Sequence, residues 1–343
     1  MTNDEHFMMR CLQLAELGKG RVTPNPIVGA VIVLDNKIIG EGYHEKFGDA
    51  HAEVNAVNSV NDKSVLDKAT IYVSLEPCAH YGKTPPCADL LVKHNFKRVV
   101  IGCSDSFSKV SGKGIQRLRD ANIDVTLGVL ETKCRLVNKH FFTFHEKKRP
   151  YILLKWAQSQ NGFIDSKNGS DGEITWISCT ETQTLVHKWR TEHEAILVGK
   201  NTVKNDNPSL TVRAIAGKNP IRIILDSSLE LSSNVEIKND ESRTIILNTI
   251  ESRIDNNVEF HAIKSMDVST ILEKLYDLKI QSILIEGGKA TLQSFIDSEQ
   301  WDEARVITGR SHFDGGTAAP KISGTNLRSE SFFKDEINYL INQ

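Results

Sequence analysis

The 343-residue chain lacks the long apolar runs that would place it in a membrane. No stretch approaches the roughly 20 apolar residues of a membrane-spanning helix. The first residues, Met1 to Glu5, are polar and acidic, whereas a signal peptide begins with a basic segment followed by an apolar one. We therefore expect neither a membrane span nor a secretion signal.

An excess of charge of one sign is also missing. The net charge is −2, and division near residue 146 leaves 18 Lys+Arg against 17 Asp+Glu before it and 24 against 27 after it. Non-specific nucleic-acid binding requires a basic excess to neutralise phosphates. We therefore expect a small-molecule substrate, and neither nucleic acid nor a membrane as a partner.

The six cysteines are scattered and lack the close spacing of a disulfide framework. This pattern is typical of free or metal-bound thiols in a reducing compartment and predicts a cytoplasmic protein. The hydrophobic fraction of 39% and the charged fraction of 25% are those of a globular protein, and the length favours two domains.

The glycine fingerprint of dinucleotide-binding folds and the Walker sequence are both absent. Gly112-Lys113-Gly114 lacks the third glycine and is interpreted as a loop before a helix. Glu286-Gly287-Gly288 stands between a predicted strand and a predicted helix, where backbone N–H groups can bind a phosphate. A plain tight turn explains it equally well, so the residues alone name no redox cofactor.

The chemically informative stretch contains His51-Ala52-Glu53, Cys78 and Cys87. One histidine and two cysteines give zinc three ligands and leave a fourth tetrahedral position for water, as in catalytic sites. Zinc lowers the pKa of such a water to about 7, and Glu53 can act as general base and then general acid. This is the known pattern of zinc deaminases. The alternatives are a bystander carboxylate and core cysteines, and core packing is our interpretation of Cys11, Cys103, Cys134 and Cys179.

The hydrophobic pattern of the first part predicts a mixed or parallel sheet with helices on both faces. Helices are predicted over residues 4–17 with Asp4 as N-cap, 51–60, 87–94, 113–121 and 131–145, and strands over 30–34, 37–42, 70–75, 98–102 and 123–127. We place the domain boundary at the charged segment before Pro150, giving domains 1–146 and 147–343.

The second part alternates in the same way and predicts a second α/β unit. Strands are predicted over residues 151–157, 195–198, 221–225, 244–247, 282–285 and 303–308, and helices from about 178 to 190 and over 268–278 and 289–297.

Several motifs resemble the bifunctional riboflavin biosynthesis deaminase–reductase family over nearly the whole chain. They are Pro24-Asn25-Pro26, Gly40-Glu41-Gly42-Tyr43-His44, His51-Ala52-Glu53-Val54, the long zinc loop from Glu76 to Cys87, Lys155-Trp156-Ala157, Thr175-Trp176-Ile177-Ser178, Asp206-x-Pro208 and Glu286-Gly287-Gly288. Eight residues separate Cys78 from Cys87, where most zinc deaminases have two, and the long loop is a feature of this family.

The resemblance implies a cytidine-deaminase-like three-layer α/β/α domain at the N-terminus. It implies deamination of 2,5-diamino-6-ribosylamino-4(3H)-pyrimidinone 5′-phosphate, with zinc on His51, Cys78 and Cys87 and with Glu53 as the catalytic residue. The candidates for substrate binding are Asn25, His44, His80 and Lys83, whose alternatives are a turn-capping asparagine and solvated loop side chains.

The resemblance also implies a dihydrofolate-reductase-like α/β domain that uses NADPH to reduce the ribosyl group, and it implies a homo-oligomer. The cofactor would contact Ala157, Trp176, Thr202, Asp206, Gly288, Lys289, Ala290, Thr291, Leu292, Gln293 and Ser294. The substrate would contact Ile174, Arg190, Leu210, Arg213 and Glu286. Surface ion pairing is the alternative for the two arginines.

Two departures from the family pattern stand out. Residues 105–109 replace Asp-Pro-Asn-Pro, and Gln160-Asn161 stands where the family usually has Leu-Asp. The second change motivates one competing hypothesis, an enzyme with deaminase activity only. The others are a tRNA or nucleoside deaminase with an appended domain, and a non-catalytic zinc module, which would have no use for Glu53.

Overall fold

A computed structural model describes residues 1–81, 85–106, 112–166 and 176–342. The chain divides into two compact units, Met1–Lys147 and Lys148–Gln343. In the described part of the chain, no helix is both long enough and apolar enough to cross a membrane.

Unit 1 is a three-layer α/β/α structure. Its elements are α1 (Asn3–Glu16), β1 (Gly29–Leu34), β2 (Lys37–Tyr43), α2 (Ala52–Ser59), β3 (Thr70–Leu75), α3 (Cys87–Lys93), β4 (Arg98–Cys103), α4 (Lys113–Asp120), β5 (Asp124–Leu127), α5 (Glu131–Val137) and α6 (Lys139–Lys147). The described strands form a five-stranded sheet in the order β2-β1-β3-β4-β5. β1 runs antiparallel to both β2 and β3, whereas β3, β4 and β5 are parallel.

Alternate residues of the strands face two separate cores, because successive side chains of a strand point to opposite faces. Ala30 and Ile32 of β1 pack in the core that contains α2, α3 and α4. Val31 and Val33 pack in the core that contains α1, α5 and Phe141. The predicted arrangement, with helices on both faces of a mixed sheet, is confirmed.

Two local predictions in unit 1 are wrong. α1 is capped by Thr2 and Glu5 in a capping box, while the carboxylate of Asp4 accepts hydrogen bonds from Arg98 and from the Tyr72 hydroxyl. The single helix predicted over 131–145 is two helices, because the Asn138 side chain bonds both the N–H and the carbonyl of Ile27, each at 2.8 Å.

Unit 2 is built on a larger sheet. Its elements are β6 (Tyr151–Gln158), α7 (Thr180–Glu192), β7 (Ala195–Gly199), α8 (Lys200–Asp206), β8 (Ile221–Leu225), β9 (Thr244–Asn248), β10 (Arg253–Asp255), β11 (Val258–Ala262), α9 (Val268–Asp277), β12 (Ser282–Gly287), α10 (Lys289–Asp297), β13 (Glu303–Thr308), β14 (Thr325–Phe332) and β15 (Asp335–Ile341).

The sheet order in the described part of unit 2 is β10-β11-β9-β8-β7-β12-β6-β13-β15-β14. From β11 to β13 neighbouring strands are parallel, and β10, β14 and β15 add antiparallel pairs at the two ends. One face is covered by α9 and α10 and the other by α7 and α8. The sequence pattern missed α8 and the outer strands β10, β11, β14 and β15, of which β10 has only three residues and β14 is largely exposed.

Candidate active sites

His51 stands at the N-cap position of α2, and its imidazole makes no capping hydrogen bond to the helix. Glu53 lies in the first turn of the same helix and is buried. The ring and the carboxylate therefore both lie at the N-terminal end of α2, where the partial positive charge of the helix favours negative groups.

The two cysteines approach this end of α2 from a different segment. Cys78 follows β3 by three residues, and Cys87 is the first residue of α3. The distances from His51 Nδ1 are 3.6 Å to Cys78 Sγ and 3.4 Å to Cys87 Sγ. The three candidate ligand atoms all lie within 4.8 Å of one another, so the fold brings together the predicted ligand set.

These distances fit zinc. Tetrahedral bonds of about 2.1 Å to nitrogen and about 2.3 Å to sulfur place neighbouring ligand atoms about 3.6 Å apart. A set of one imidazole and two thiolates also suits zinc, whereas magnesium and calcium prefer oxygen. The Cys87 side chain, by hydrogen bonding, and then His51 lower the pKa of Cys78 to about 4, which favours the thiolate that a metal requires.

Glu53 has an environment that suits proton transfer. Burial, and secondarily the charge of Cys78, raise the pKa of this carboxyl to about 7. A group whose pKa lies near the working pH can both take up and release a proton, as a general acid–base requires.

Asn25 and His44 are hydrogen bonded to each other, with 3.1 Å between Asn25 Nδ2 and His44 Nε2. The other ring nitrogen, His44 Nδ1, lies 3.1 Å from the carbonyl of Ala50, which can only accept. Nδ1 therefore carries the proton, and Nε2 accepts from the Asn25 amide. Burial lowers the pKa of His44, which favours this neutral form. The Asn25 carbonyl oxygen is thereby left as an acceptor for another group.

The remaining two predicted substrate residues of unit 1 are His80 and Lys83. His80 is exposed and follows Cys78 by two residues. Lys83 lies outside the described residues.

Unit 2 contains a cradle at the carboxyl ends of β7 and β12, which are neighbouring parallel strands. Gly288 is the N-cap of α10 and leaves the first N–H groups of the helix without a side-chain cap. A β-carbon placed on Gly288 would lie 3.2 Å from Thr202 Oγ1, and one on Gly199 would lie 2.7 Å from Thr291 Oγ1. Glycines at these two positions let the threonine hydroxyls approach the backbone closely, and such a helix N-terminus at the strand ends suits a phosphate of the cofactor.

The other predicted cofactor residues come from several segments of unit 2. Ala157 is half-buried in β6, Trp176 is exposed and Asp206 is the last residue of α8. The first two turns of α10 contain the rest of the set, namely Lys289, Ala290, Thr291, Leu292, Gln293 and Ser294. Leu292 is buried in the core, so its side chain faces away from the cradle.

Glu286 is the centre of a buried charge cluster next to this cradle. Arg190 binds both of its carboxylate oxygens, with Nε–Oε1 at 2.8 Å and Nη2–Oε2 at 2.9 Å, and Lys155 Nζ lies 3.7 Å from Oε2. Burial by itself raises the pKa of Glu286, but Arg190 and Lys155 outweigh it and hold the pKa at about 2. Two predicted substrate residues are thus bound to each other, and the trio of Lys155, Arg190 and Glu286 has one positive charge in excess.

The last three predicted substrate residues of unit 2 lie apart from this pair in the chain. Leu210 is buried in the core on the α8 face, with a positive φ of 54°. Arg213 is exposed, donates from its guanidinium to Ser209 Oγ and donates its backbone N–H to His187 Nδ1 at 3.2 Å. Ile174 lies outside the described residues.

The residue analysis missed Lys155 as a site residue. Its signal was available, because a lysine interrupts the otherwise largely apolar strand Tyr151–Gln158. Burial lowers the pKa of this lysine in spite of its contact with Glu286. A lysine within a buried parallel strand is costly, and it is retained where a carboxylate or a ligand compensates for its burial.

Two family models match the chain. One described as RibD C-terminal domain matches residues 150–330, and one described as cytidine and deoxycytidylate deaminase zinc-binding region matches residues 1–103. The first of these matches covers more than half of the chain.

Relatives match both units together. The riboflavin biosynthesis protein RibD of Aquifex aeolicus is 41% identical over 94% of this chain and 89% of its own length. The RibD of Escherichia coli is 33% identical over 95% of this chain and 90% of its own length. A crystal structure from Thermotoga maritima, a diaminohydroxyphosphoribosylaminopyrimidine deaminase/5-amino-6-(5-phosphoribosylamino)uracil reductase, matches with 36% identity and a TM-score of 0.90 over 99% of both chains. RibD of Acinetobacter baumannii matches with 31% identity and the same TM-score and coverage.

The proposed ligand set can be tested by metal content. We expect Cys87→Ser to lose most of the bound zinc, because one of three protein ligands is replaced by a poorly coordinating hydroxyl. Cys179→Ser is the matched control, since Cys179 is half-buried in unit 2 and should leave one zinc per chain. Plasma emission spectrometry of dialysed protein measures both. Equal zinc content in the two variants would contradict the assignment.

Proposed function

The chain belongs to the RibD family of riboflavin biosynthesis proteins, and from this premise we propose which of its residues carry out each of the family's two reactions. It is a bifunctional enzyme, a zinc-dependent deaminase and an NADPH-dependent reductase. The observation that carries the proposal is the buried Glu53 carboxyl beside the convergent His51, Cys78 and Cys87.

We assign deamination to residues 1–146 and reduction to residues 147–343. The first substrate is 2,5-diamino-6-ribosylamino-4(3H)-pyrimidinone 5′-phosphate, and the final product is 5-amino-6-ribitylaminouracil 5′-phosphate. Deamination precedes reduction.

In the first reaction Glu53 moves protons between water and the leaving amine. When bound, zinc supplies a Lewis acid that makes water nucleophilic near neutral pH. Glu53 takes a proton from the attacking water and delivers it to the departing amine, which leaves as ammonia. The second proton of the water passes to the neighbouring ring nitrogen as the ring carbon becomes a carbonyl. Burial supports this role, because it keeps the carboxyl in the range in which it can hold and release the proton.

Asn25 is assigned to the substrate ring. His44 Nε2 accepts from the Asn25 amide nitrogen, which leaves the Asn25 carbonyl oxygen to accept from an N–H of the pyrimidine. His44 then acts through Asn25, because both ring nitrogens already have partners. His80 and Lys83 are assigned to the ribose and the phosphate, for which imidazole and ammonium donors are suited.

The role of Glu53 predicts a selective loss. Glu53→Gln keeps the size of the side chain but cannot accept the proton, so we expect ammonia release to fall by about 10²- to 10⁴-fold. Zinc content and NADPH oxidation with previously deaminated substrate should remain at wild-type values. Glu45→Gln, at an exposed position in unit 1, is the control. An active Glu53→Gln enzyme would refute the assignment.

In the second reaction NADPH supplies the hydride, and the protein positions both reactants. The N-terminus of α10 and Thr202 hold the cofactor, while the cluster of Arg190, Glu286 and Lys155 faces the phosphorylated substrate. The bidentate pair fixes the Arg190 guanidinium, so less conformational freedom is lost when a substrate binds.

The departure at Asn161 is consistent with an active reductase. Its side chain accepts hydrogen bonds from Ser159 Oγ at 2.8 Å and from the Phe313 N–H at 3.1 Å, and it donates to the Phe313 carbonyl at 2.6 Å. The neutral Asn161 amide thus links the segments that contain Ser159 and Phe313. An ionised carboxylate could not replace its N–H donor. Asn161 is thus accounted for by structural contacts, and the match of both units to RibD relatives favours two activities over the deaminase-only alternative.

The cofactor assignment predicts an effect on the KM for NADPH. The Thr202 hydroxyl has no hydrogen-bond partner among the described residues, so Thr202→Val should fold normally and lose only a contact to the cofactor. Loss of one hydrogen bond of about 1.4 kcal/mol corresponds to a rise in KM of about tenfold. Thr184→Val, at a half-buried position on α7, is the control, and steady-state NADPH oxidation is the measurement. Equal KM values for the two variants would contradict the assignment.

We further assign the chain to the cytoplasm, because none of its six cysteines forms a disulfide. We also propose that the chain forms a homo-oligomer. β14 is an edge strand that is exposed along most of its length, and Leu327 in the strand and Phe333 in the following turn are 59% and 67% exposed. An exposed edge strand is a ready partner for the same strand of a second copy.

This assembly is tested by molar mass. Leu327→Lys places a charge on the β14 edge and should shift light-scattering mass from oligomer to monomer. Ile254→Lys is the matched control, because Ile254 is 76% exposed on β10 at the opposite edge of the sheet. A wild-type protein that is monomeric at micromolar concentration would refute the proposal.

A further inference from the structure

Glu76 is a buried carboxylate that the two reactions do not use. It follows β3 directly and precedes the ligand Cys78 by two residues. Its backbone N–H donates to the Cys103 carbonyl at 2.9 Å, which continues the pairing of β3 with β4. The burial of a carboxylate is costly unless a cation or hydrogen-bond donors compensate for it. Glu76 forms no salt bridge with any of the described residues.

Four backbone N–H groups bind this carboxylate. Oε2 accepts from Asp105 at 3.2 Å and from Gly112 at 3.0 Å, and Oε1 accepts from Gly114 at 3.0 Å and from Ile115 at 3.4 Å. A carboxylate has about four acceptor positions, so its capacity is filled. Three of the four donors belong to the N-terminus of α4, whose partial positive charge favours the anion.

The helix has no cap of its own. Gly112 is the N-cap residue, with a φ of 75° and no side chain that could accept from the first turn. Glu76, 36 residues earlier in the chain, therefore supplies the cap. A local N-cap would stabilise only α4, whereas this one joins α4 to the segment that contains Cys78.

Gly114 of the Gly112-Lys113-Gly114 motif is explained by the same contact. A β-carbon on Gly114 would overlap the Pro77 carbonyl oxygen and lie 3.3 Å from Glu76 Oε1. The motif thus binds an anion, but the anion is a side chain of the protein. The close approach also fixes the backbone immediately before Cys78, and the Cys78 carbonyl accepts from the Ala88 N–H at 3.1 Å on the other side.

We propose that Glu76 is a positioning residue for the metal centre. It holds Cys78 at the distance from His51 and Cys87 that zinc requires. The inference rests on the proposed zinc site. It assigns to Glu76 a contribution to zinc affinity beyond the stability that any helix cap provides. Outer groups that orient metal ligands change affinity or activity by about 10- to 100-fold when removed.

The test is zinc affinity, measured by competition with a chromophoric chelator in the absence of substrate. Glu76→Gln keeps the shape but turns one acceptor into a donor facing N–H groups, and we expect zinc affinity to fall by about 10- to 100-fold. Glu76→Asp keeps the charge and should lie between Glu76→Gln and wild type. Deamination should fall in the same order, while NADPH oxidation with deaminated substrate should not change.

Glu41→Gln is the matched control. It makes the same chemical change in unit 1 and removes a bidentate pair with Arg10, with bonds of 2.6 and 2.9 Å, away from the zinc loop. Zinc affinity that is equal in Glu76→Gln, Glu76→Asp and Glu41→Gln, with only the thermal midpoint lowered, would overturn the proposal. If Glu76→Gln fails to fold, the affinity of Glu76→Asp decides in the same way. Absence of zinc binding by the wild-type protein would instead refute the site itself.

Discussion

The first unit depends on the convergence of three soft ligands at one point. His51 comes from the start of α2, Cys87 from the start of α3 and Cys78 from the end of β3. His51 lies 27 residues before Cys78 in the chain, so the packing of both helices on one face of the sheet is what brings the ligands within metal-binding distance. The positive ends of the two helices favour the thiolates and the buried carboxyl of Glu53 at this point.

The second unit lacks the usual glycine fingerprint of proteins that bind a phosphorylated dinucleotide cofactor. The carboxyl ends of β7 and β12 lead into α8 and α10, and glycines at these ends allow Thr291 and Thr202 to lie close to the backbone. The buried trio of Lys155, Arg190 and Glu286 lies beside it. Such a buried cluster is weak evidence for stability, because desolvation offsets its attraction, and its retention fits a role in binding.

Local pattern predicted most of the regular structure, since strands such as Thr70–Leu75 and Ile221–Leu225 are continuous apolar runs between clear breaks. It failed where a distant residue decided the outcome. Asn138 interrupts a helical pattern because its side chain binds Ile27, 111 residues earlier. Asp4 has the chemistry of an N-cap but is used by Arg98 instead. β14 has little apolar character and is a strand because β15 pairs with it.

The sequence by itself determined the chemistry: the three ligand types, the carboxylate two residues from the histidine, the glycine pair before α10 and the resemblance that names both reactions. Residue type fixes which donors and acceptors exist, and this does not require a fold. Tertiary structure decided how they are used. In the folded chain the Asn25 amide nitrogen is hydrogen bonded to His44, and Arg190 is paired with Glu286. The Glu76 carboxylate accepts from the N-terminus of α4. Hydrogen bonds depend on distances between segments far apart in the chain, and only the folded backbone sets those distances.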